Sequence, residues 1–313
     1  MAYLVTGCAG FIGGRLCEIL VQRGNFVIGL DALTDYYDLR IKQNNLRSLQ
    51  TYERFRFIQS DLVTNDLKPI LEQVDCVFHT AGQPGVRGSW GEQFHLYLRN
   101  NIQATQRLLE SIKSLHRNIK VVFSSSSSIY GNTDQLPTSE TALPRPYSPY
   151  GATKLAAEHL CSLYCVNYGI PTVSLRYFTV YGPGQRPDMA FHIFIKALLQ
   201  NAPIKILGDG SQTRDFTYVD DIVAANLLAA EKSVEGEIFN IGGGSRVSLR
   251  ETLSILETVS GLTPTIHYEP PTKGDVRDTS ADTNKARRLL GYEPKTGLEE
   301  GLRRQFGWEK GIY

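Results

Sequence analysis

The chain has 313 residues, 42% hydrophobic and 21% charged, which is the composition of a folded protein with one large domain or two coupled ones. Lys and Arg number 33 against 32 Asp and Glu, and the formal charge of +1 gives no bulk attraction for nucleic acid or an anionic membrane. No apolar run is long enough to span a bilayer, and Met1-Ala2-Tyr3-Leu4-Val5 reads directly as a strand rather than a targeting segment.

Short runs rich in Val, Ile and Phe then alternate with amphipathic stretches. Tyr3–Thr6, Phe26–Asp31, Arg56–Asp61, Cys76–Thr80, Lys120–Ser124 and Thr172–Tyr177 read as strands buried on both faces. Between the first two, Ile12, Leu16, Ile19 and Leu20 mark a helix that stops at Gly24. This alternation predicts an α/β fold, a doubly wound (Rossmann) parallel sheet that binds its ligand at the carboxyl ends of the strands. Beyond residue 180 the alternation weakens and prolines accumulate. Residues 1–180, with a returning segment near 210–245, are expected to form the nucleotide-binding domain, and 181–313 a smaller interleaved α/β lobe for the substrate. One strand near Ile238–Ile241 returns to the sheet. The cysteines at 8, 17, 76, 161 and 165 and six dispersed histidines have no metal-ligand spacing, so no metal is expected. Plain thiols in a reducing, cytoplasmic setting are the expectation.

The first strand ends in Thr6-Gly7-Cys8-Ala9-Gly10-Phe11-Ile12-Gly13, a G-x-x-G-x-x-G pattern. Gly7 permits a tight turn, Gly10 lets backbone N–H groups approach a pyrophosphate, and Gly13 allows close helix–strand packing. The pattern is weak alone, but here it lies between a predicted strand and a predicted helix. Asp31, closing the second strand, suits the hydroxyls of an adenosine ribose and repels a 2′-phosphate. NAD is therefore expected over NADP, with Arg40 and Lys42 the contrary signal. Asp61, at the end of the third strand, suits the adenine edge.

The fifth strand runs into Ser124-Ser125-Ser126-Ser127-Ser128, which delivers hydroxyls to the ligand end of the sheet. Ser148-Pro149-Tyr150-Gly151-Ala152-Thr153-Lys154 then opens a helix with Tyr150 and Lys154 on one face. A free tyrosine, with a pKa near 10, is a poor base at neutral pH. A cation about 4–6 Å away is worth roughly 3–4 kcal/mol, enough to bring the phenol near 7. Tyr-x-x-x-Lys by itself is a common accident of helices. After a nucleotide loop and a serine-ended strand it reads as a general base and its activator.

Taken together these segments resemble the extended short-chain dehydrogenase/reductase family of nucleotide-sugar epimerases and dehydratases. The similarity runs through Asn101-Ile102-Gln103-Ala104-Thr105, Leu175-Arg176-Tyr177-Phe178-Thr179-Val180-Tyr181-Gly182-Pro183 and Gly208-Asp209-Gly210-Ser211-Gln212-Thr213-Arg214-Asp215-Phe216. It implies a bound NAD, reduced and reoxidised in each turnover, and a UDP- or dTDP-sugar in the second lobe. Catalytic roles fall to Tyr150, Lys154 and Ser126. Cofactor contacts fall to Gly7, Gly10, Phe11, Ile12, Gly13, Asp31, Asp61, Leu62, Thr80, Ala81, Ser124, Tyr150 and Lys154. A homodimer is implied through the helix near 100–115 and the one opening at Tyr150.

The family's sugar 4,6-dehydratases carry an Asp-Glu pair after the catalytic Ser or Thr, and its UDP-glucuronate decarboxylases carry a Glu at the second place. Ser127 and Ser128 stand there instead, and hydroxyls suit a substrate carboxylate that a Glu would repel. Thr179 stands where many galactose-type epimerases have Asn. Tyr181-Gly182-Pro183-Gly184-Gln185-Arg186-Pro187-Asp188-Met189-Ala190 and Gln83-Pro84-Gly85-Val86-Arg87 look like the UDP-glucuronate 4-epimerases. The reading is 4-epimerisation of UDP-glucuronate to UDP-galacturonate through a 4-keto sugar. The alternatives are a UDP-glucose/UDP-galactose 4-epimerase and, further off, a UDP-glucuronate decarboxylase. Arg87, Ser126, Ser127, Ser128, Thr179, Arg186, Arg214 and Asp275 are the expected substrate contacts, with Arg214 and Asp275 assigned to the pyrophosphate and uridine ribose.

Overall fold

The computed structural model describes residues 1–270 and 274–312. Six strands, β1 (Ala2–Thr6), β2 (Phe26–Asp31), β3 (Phe55–Gln59), β4 (Cys76–His79), β5 (Lys120–Ser126) and β6 (Thr172–Tyr177), join Ile238–Ile241 in one sheet. The order across it is Ile238–Ile241, β6, β5, β4, β1, β2, β3, and every pairing is parallel. The chain fills one side as far as β3 and then crosses to β4. A crevice therefore opens between β1 and β4 at their carboxyl ends, where doubly wound sheets take ligands.

Strand alternation sends the apolar side chains to two cores. Leu4, Ile28, Val77 and Val121 meet Leu108, Leu109, Ala157 and Cys161 of the helices Ala104–Leu115 and Pro149–Tyr168. Val5, Val27, Phe78 and Val122 belong to the core that takes in Leu16 and Leu20 of the helix Phe11–Gln22 and Ile222 and Leu227 of the helix Val219–Glu231. Burial on both faces is why these strands read as nearly continuous apolar runs.

Three carboxyl-end boundaries differ from the sequence expectation, and β1 and β3 each begin one residue earlier. β3 stops at Gln59, and Asp61 lies in the turn beyond it, where its Oδ1 accepts the Val63 N–H at 2.8 Å. β4 stops at His79, because the Thr80 hydroxyl donates to the Thr6 carbonyl at 2.6 Å instead of continuing the strand. β5 extends to Ser126, carrying three serines within the strand. Past β6, short strands pair outside the main sheet: Val180–Tyr181 with Thr217–Tyr218, Thr213–Asp215 with Arg246–Ser248, and Ile204–Leu207 with Ile266–Glu269. The helices Ala190–Leu199, Leu249–Ser260 and Leu298–Lys310 accompany them.

Among the described residues no helix is long and apolar enough to cross a membrane, and no group of side chains could hold a metal ion. All five cysteines are free thiols; four are buried, as expected, and Cys165 is half-buried.

Candidate active site

The glycine loop lines a cavity at the switch point. Gly7, Gly10, Phe11, Ile12 and Gly13 form one wall, Asp31 and Lys42 another, and Asp61, Leu62, Thr80 and Ala81 close the far side. The loop is shaped by backbone: Gly10 N donates to Gly7 O at 3.1 Å, and Gly7 N donates to Leu30 O at 2.7 Å. A Cβ at Gly13 would stand 2.3 Å from Gly7 O and 2.7 Å from Thr80 Oγ1, so only glycine lets the helix start this close to the strands. The Asp31 carboxylate accepts from Ala9 N at 3.1 Å and Leu33 N at 2.8 Å, with Lys42 Nζ at 3.9 Å. A backbone-lined cradle with a fixed carboxylate at one end fits the pyrophosphate and ribose of a dinucleotide. Asp61 borders the same cavity but is held by Arg99 at 2.7 Å. Burial works against its charge, yet the Val63 N–H and Arg99 leave its carboxyl below the ordinary value.

The five serines divide into two groups. Ser124 Oγ meets the Tyr177 hydroxyl at 3.0 Å, and Ser125 Oγ donates to Glu158 at 2.6 Å, so both turn into buried networks. Glu158 is in turn paired with Arg176, whose Nη2 and Nε lie 2.6 and 3.0 Å from the carboxylate. Breaking such a buried pair costs about 3–5 kcal/mol, so it fixes the helix Pro149–Tyr168 against β5 and β6. Ser126, Ser127 and Ser128 remain at the strand end beside Tyr150. The approach is close: a Cβ at Gly151 would stand 2.4 Å from the Ser128 carbonyl oxygen. Ser148 caps the helix, its Oγ accepting the Gly151 N–H at 3.2 Å, and Pro149 occupies the first turn where no N–H is required.

Tyr150 is half-buried, with its ring edge-on to Tyr97 at 6.4 Å between centroids. Burial raises its phenol above the ordinary value, while a hydrogen bond with Ser126 and the charge of Arg186 pull it down. The sequence reading took Lys154 as the cation acting on the phenol. Lys154 Nζ donates to the Ser124 carbonyl at 2.8 Å and lies 5.2 Å from the Phe123 ring centroid. Burial pushes this ammonium down to about 8. The charge of Arg186 also acts on Tyr150; Arg186 borders the glycine-loop cavity and is paired through Nε and Nη2 with Asp188, both at 3.0 Å.

Of the other expected substrate contacts, Thr179 stands between β6 and the strand Val180–Tyr181, its carbonyl accepting Thr217 N–H at 2.9 Å. Arg87 and Asp275 pair with each other at 3.0 Å. Arg214 Nη1 donates to the carbonyls of Thr213 and Arg277, at 2.9 and 2.8 Å, and its Nη2 donates to that of Val276 at 2.6 Å. None of these four lines the glycine-loop cavity, nor do Ser124, Tyr150 and Lys154. Sequence reasoning missed Tyr36, Tyr37 and Arg99 in the cavity wall and Asn101 behind it. Asn101 lies in a wide helical turn, Leu98–Gln103, and bonds Gln83 N and O at 2.6 and 3.1 Å and Thr153 Oγ1 at 3.0 Å. The segment had been singled out for its resemblance alone; an Asn inside a helix two turns before an apolar stripe was the available signal.

Residues 3–242 match the model of the NAD dependent epimerase/dehydratase family. An uncharacterised UDP-glucose epimerase, YtcB, of Bacillus subtilis is 46% identical over 315 residues, covering 100% of this chain and 99% of that protein. A UDP-glucuronate 4-epimerase of Thermodesulfobacterium geofontis is 43% identical over 312 residues, covering 98% and 96%. Among solved structures, the UDP-glucuronic acid 4-epimerase of Bacillus cereus in complex with UDP-glucuronic acid and NAD superposes with a TM-score of 0.96. It is 45% identical and covers 100% of both chains.

Proposed function

The chain belongs to the NAD dependent epimerase/dehydratase family, and we propose that it interconverts UDP-glucuronate and UDP-galacturonate by epimerisation at carbon 4. It is an NAD-dependent nucleotide-sugar 4-epimerase. The observation that carries the choice of sugar is the end of β5, where Ser126, Ser127 and Ser128 meet Tyr150 with hydroxyls in place of carboxylates.

Gly7, Gly10, Phe11, Ile12, Gly13 and Asp31 would hold NAD in this cavity, where the cofactor would supply a reversible hydride acceptor for carbon 4. Tyr150 takes the proton of the 4-hydroxyl and gives it back, with Ser126 steadying it through their hydrogen bond. Arg186 and Ser126 offset part of the rise that burial imposes on the phenol. Lys154, held at the Ser124 carbonyl, would hold the nicotinamide ribose and lower the phenol's pKa by its charge. The 4-keto uronate is a β-keto acid, which loses carbon dioxide when its carboxylate aligns with the carbonyl. Ser127, Ser128 and Thr179 hold that carboxylate out of line, with Arg186 as an outer clamp. Residues 1–180 with the returning 210–245 segment serve the cofactor and 181–313 the nucleotide sugar; 271–273 and 313 lie outside the described residues. Arg87, Arg214 and Asp275 are assigned to the nucleotide end, Arg87 and Asp275 as an ion pair. A homodimer is proposed through the helices Ala104–Leu115 and Pro149–Tyr168, the second of which exposes Leu163, Val166 and Tyr168 at 54%, 85% and 56%. Five free thiols support a cytoplasmic setting.

A buried carboxylate must replace its hydration with donors, and charge-assisted hydrogen bonds are worth about 1.5–3 kcal/mol each. Replacing Ser127 and Ser128 together by Ala is expected to lower the preference for UDP-glucuronate over UDP-glucose by about 10²-fold and to raise the UDP-pentose by-product. A double variant with unchanged preference and unchanged product ratio contradicts the carboxylate grip.

A further inference from the structure

The segment 182–189, which carries Arg186, is tied to the last helix of the chain by a buried chain of amides. Gln305, on the helix Leu298–Lys310, is 0% exposed, and Gln185 is 3% exposed. The Gly182 N–H donates to Gln305 Oε1 at 2.9 Å, and Gln305 Nε2 donates to Gln185 Oε1 at 2.9 Å. Gln185 Oε1 also accepts the His192 N–H at 3.0 Å, and Gln185 Nε2 donates to Val180 O at 3.1 Å. Gln305 Nε2 also donates to Glu309 Oε1 at 2.9 Å.

Two backbone N–H groups fix the sense of this chain. The His192 N–H requires an oxygen at Gln185, so the atom of Gln305 that faces it must be the NH₂. The Gln305 oxygen is then left for the Gly182 N–H, which requires an acceptor. Only an amide of this length presents both an acceptor and a donor without taking up a proton. A methionine fills the same volume but leaves the Gly182 N–H without its acceptor, and a glutamate sets oxygen against oxygen at Gln185. Nothing about packing alone demands an amide here.

We propose that Gln305 is a positioning residue for Arg186. It fixes Gly182 and Gln185 on the near side of Arg186, while Asp188 holds the guanidinium through Nε and Nη2 on the other side. Arg186 thereby keeps its charge toward Tyr150 and the sugar. The inference rests on the reaction proposed above for its substrate, but its test does not depend on which sugar that is.

The experiment is a double-mutant cycle on the NAD-loaded enzyme, with Gln305→Met, Arg186→Ala and both together. Specificity constants are measured on whichever of UDP-glucuronate and UDP-glucose the wild type prefers, alongside thermal midpoints. Gln305→Met is expected to lower kcat/KM by about tenfold or more with Arg186 present and by less than about threefold in the Arg186→Ala background. The thermal midpoint should fall equally in both backgrounds. Equal kinetic losses in the two backgrounds, or no loss in either, overturn the proposal. If Gln305→Met yields no folded protein, Gln185→Met breaks the same chain from the loop side, and the same two outcomes decide. A wild type that prefers UDP-glucose contradicts the reaction and leaves the cycle readable.

Discussion

Two loops border the cofactor cavity, and they are held in place by opposite means. The glycine loop is fixed mainly by exclusion: backbone-to-backbone bonds shape it, the side chains of Asp31 and Asn45 hold it at Ala9, and a Cβ at Gly13 has nowhere to go. The segment 182–189 is fixed by attachment, through Gln305 on one side and through the Asp188 carboxylate and its Tyr36 contact, at 3.3 Å, on the other. The first loop fails when volume is added, and the second fails when a donor or acceptor is removed. In the proposed reaction the first secures the cofactor, while the second contributes charge that the reacting group feels.

The largest effect is expected at the residue toward which the second loop directs its charge. Tyr150→Phe keeps the ring and its contact with Tyr97 but removes the proton acceptor, so turnover should fall by about 10²–10⁴-fold with KM little changed. Steady-state kinetics check this, and a variant retaining more than about a tenth of the rate removes Tyr150 as the base.

Adding one methyl to the first loop comes next. In Gly13→Ala the new carbon meets Gly7 O and Thr80 Oγ1, and the loop must open. NAD recovered from the denatured variant should drop at least about tenfold per mole of protein. Undiminished NAD content would mean that exclusion does not hold this loop.

The second loop's anchor gives a pH test. Burial pushes Glu309 up to about 8 from an ordinary 4.5 and pushes its neighbour His192, at 3.6 Å, down, so near neutrality the two stand as acid and imidazole, both uncharged. A carboxyl with a raised folded-state pKa binds its proton more tightly folded than unfolded. Its stabilisation is present below about 4.5 and is lost as pH rises through about 8. The loss is on the order of 3–5 kcal/mol. Denaturant unfolding of Glu309→Gln should show a flatter stability profile between these limits than the wild type; identical profiles would place the titration elsewhere.

The smallest effect is expected at Arg87, whose side chain is 62% exposed in its pair with Asp275. Arg87→Ala should change stability by less than about 1 kcal/mol and raise KM a few-fold, more at low salt than at high.

How much of this was legible in the sequence follows the same division. Gly7, Gly10 and Gly13 announced their loop by their spacing, and at Gly7 and Gly13 a Cβ has no room. Tyr150, Lys154 and the serine run announced theirs because a helix and a strand have fixed periods. For Lys154, i,i+4 spacing places two side chains on one face without fixing which carbonyl the longer one finds, here that of Ser124. Ser124 and Ser125 differ from Ser126 because partners distant in sequence, Tyr177 and Glu158, claim them. Gln305 carried no local signal at all, since its meaning lies in two backbone N–H groups more than a hundred residues away. Arg87 and Asp275 were each chosen alone, and neither position discloses the other.

The central claim is that the hydroxyls at the end of β5 select a uronic acid for epimerisation at carbon 4. Incubating the wild-type protein with UDP-glucuronate and, separately, with UDP-glucose, and following both by NMR, tests it most directly. UDP-galacturonate should form from the first, with little UDP-pentose and no added cofactor, at a specificity constant about 10²-fold or more above that for the second. Equal specificity constants on the two sugars, or UDP-pentose as the main product, would contradict it.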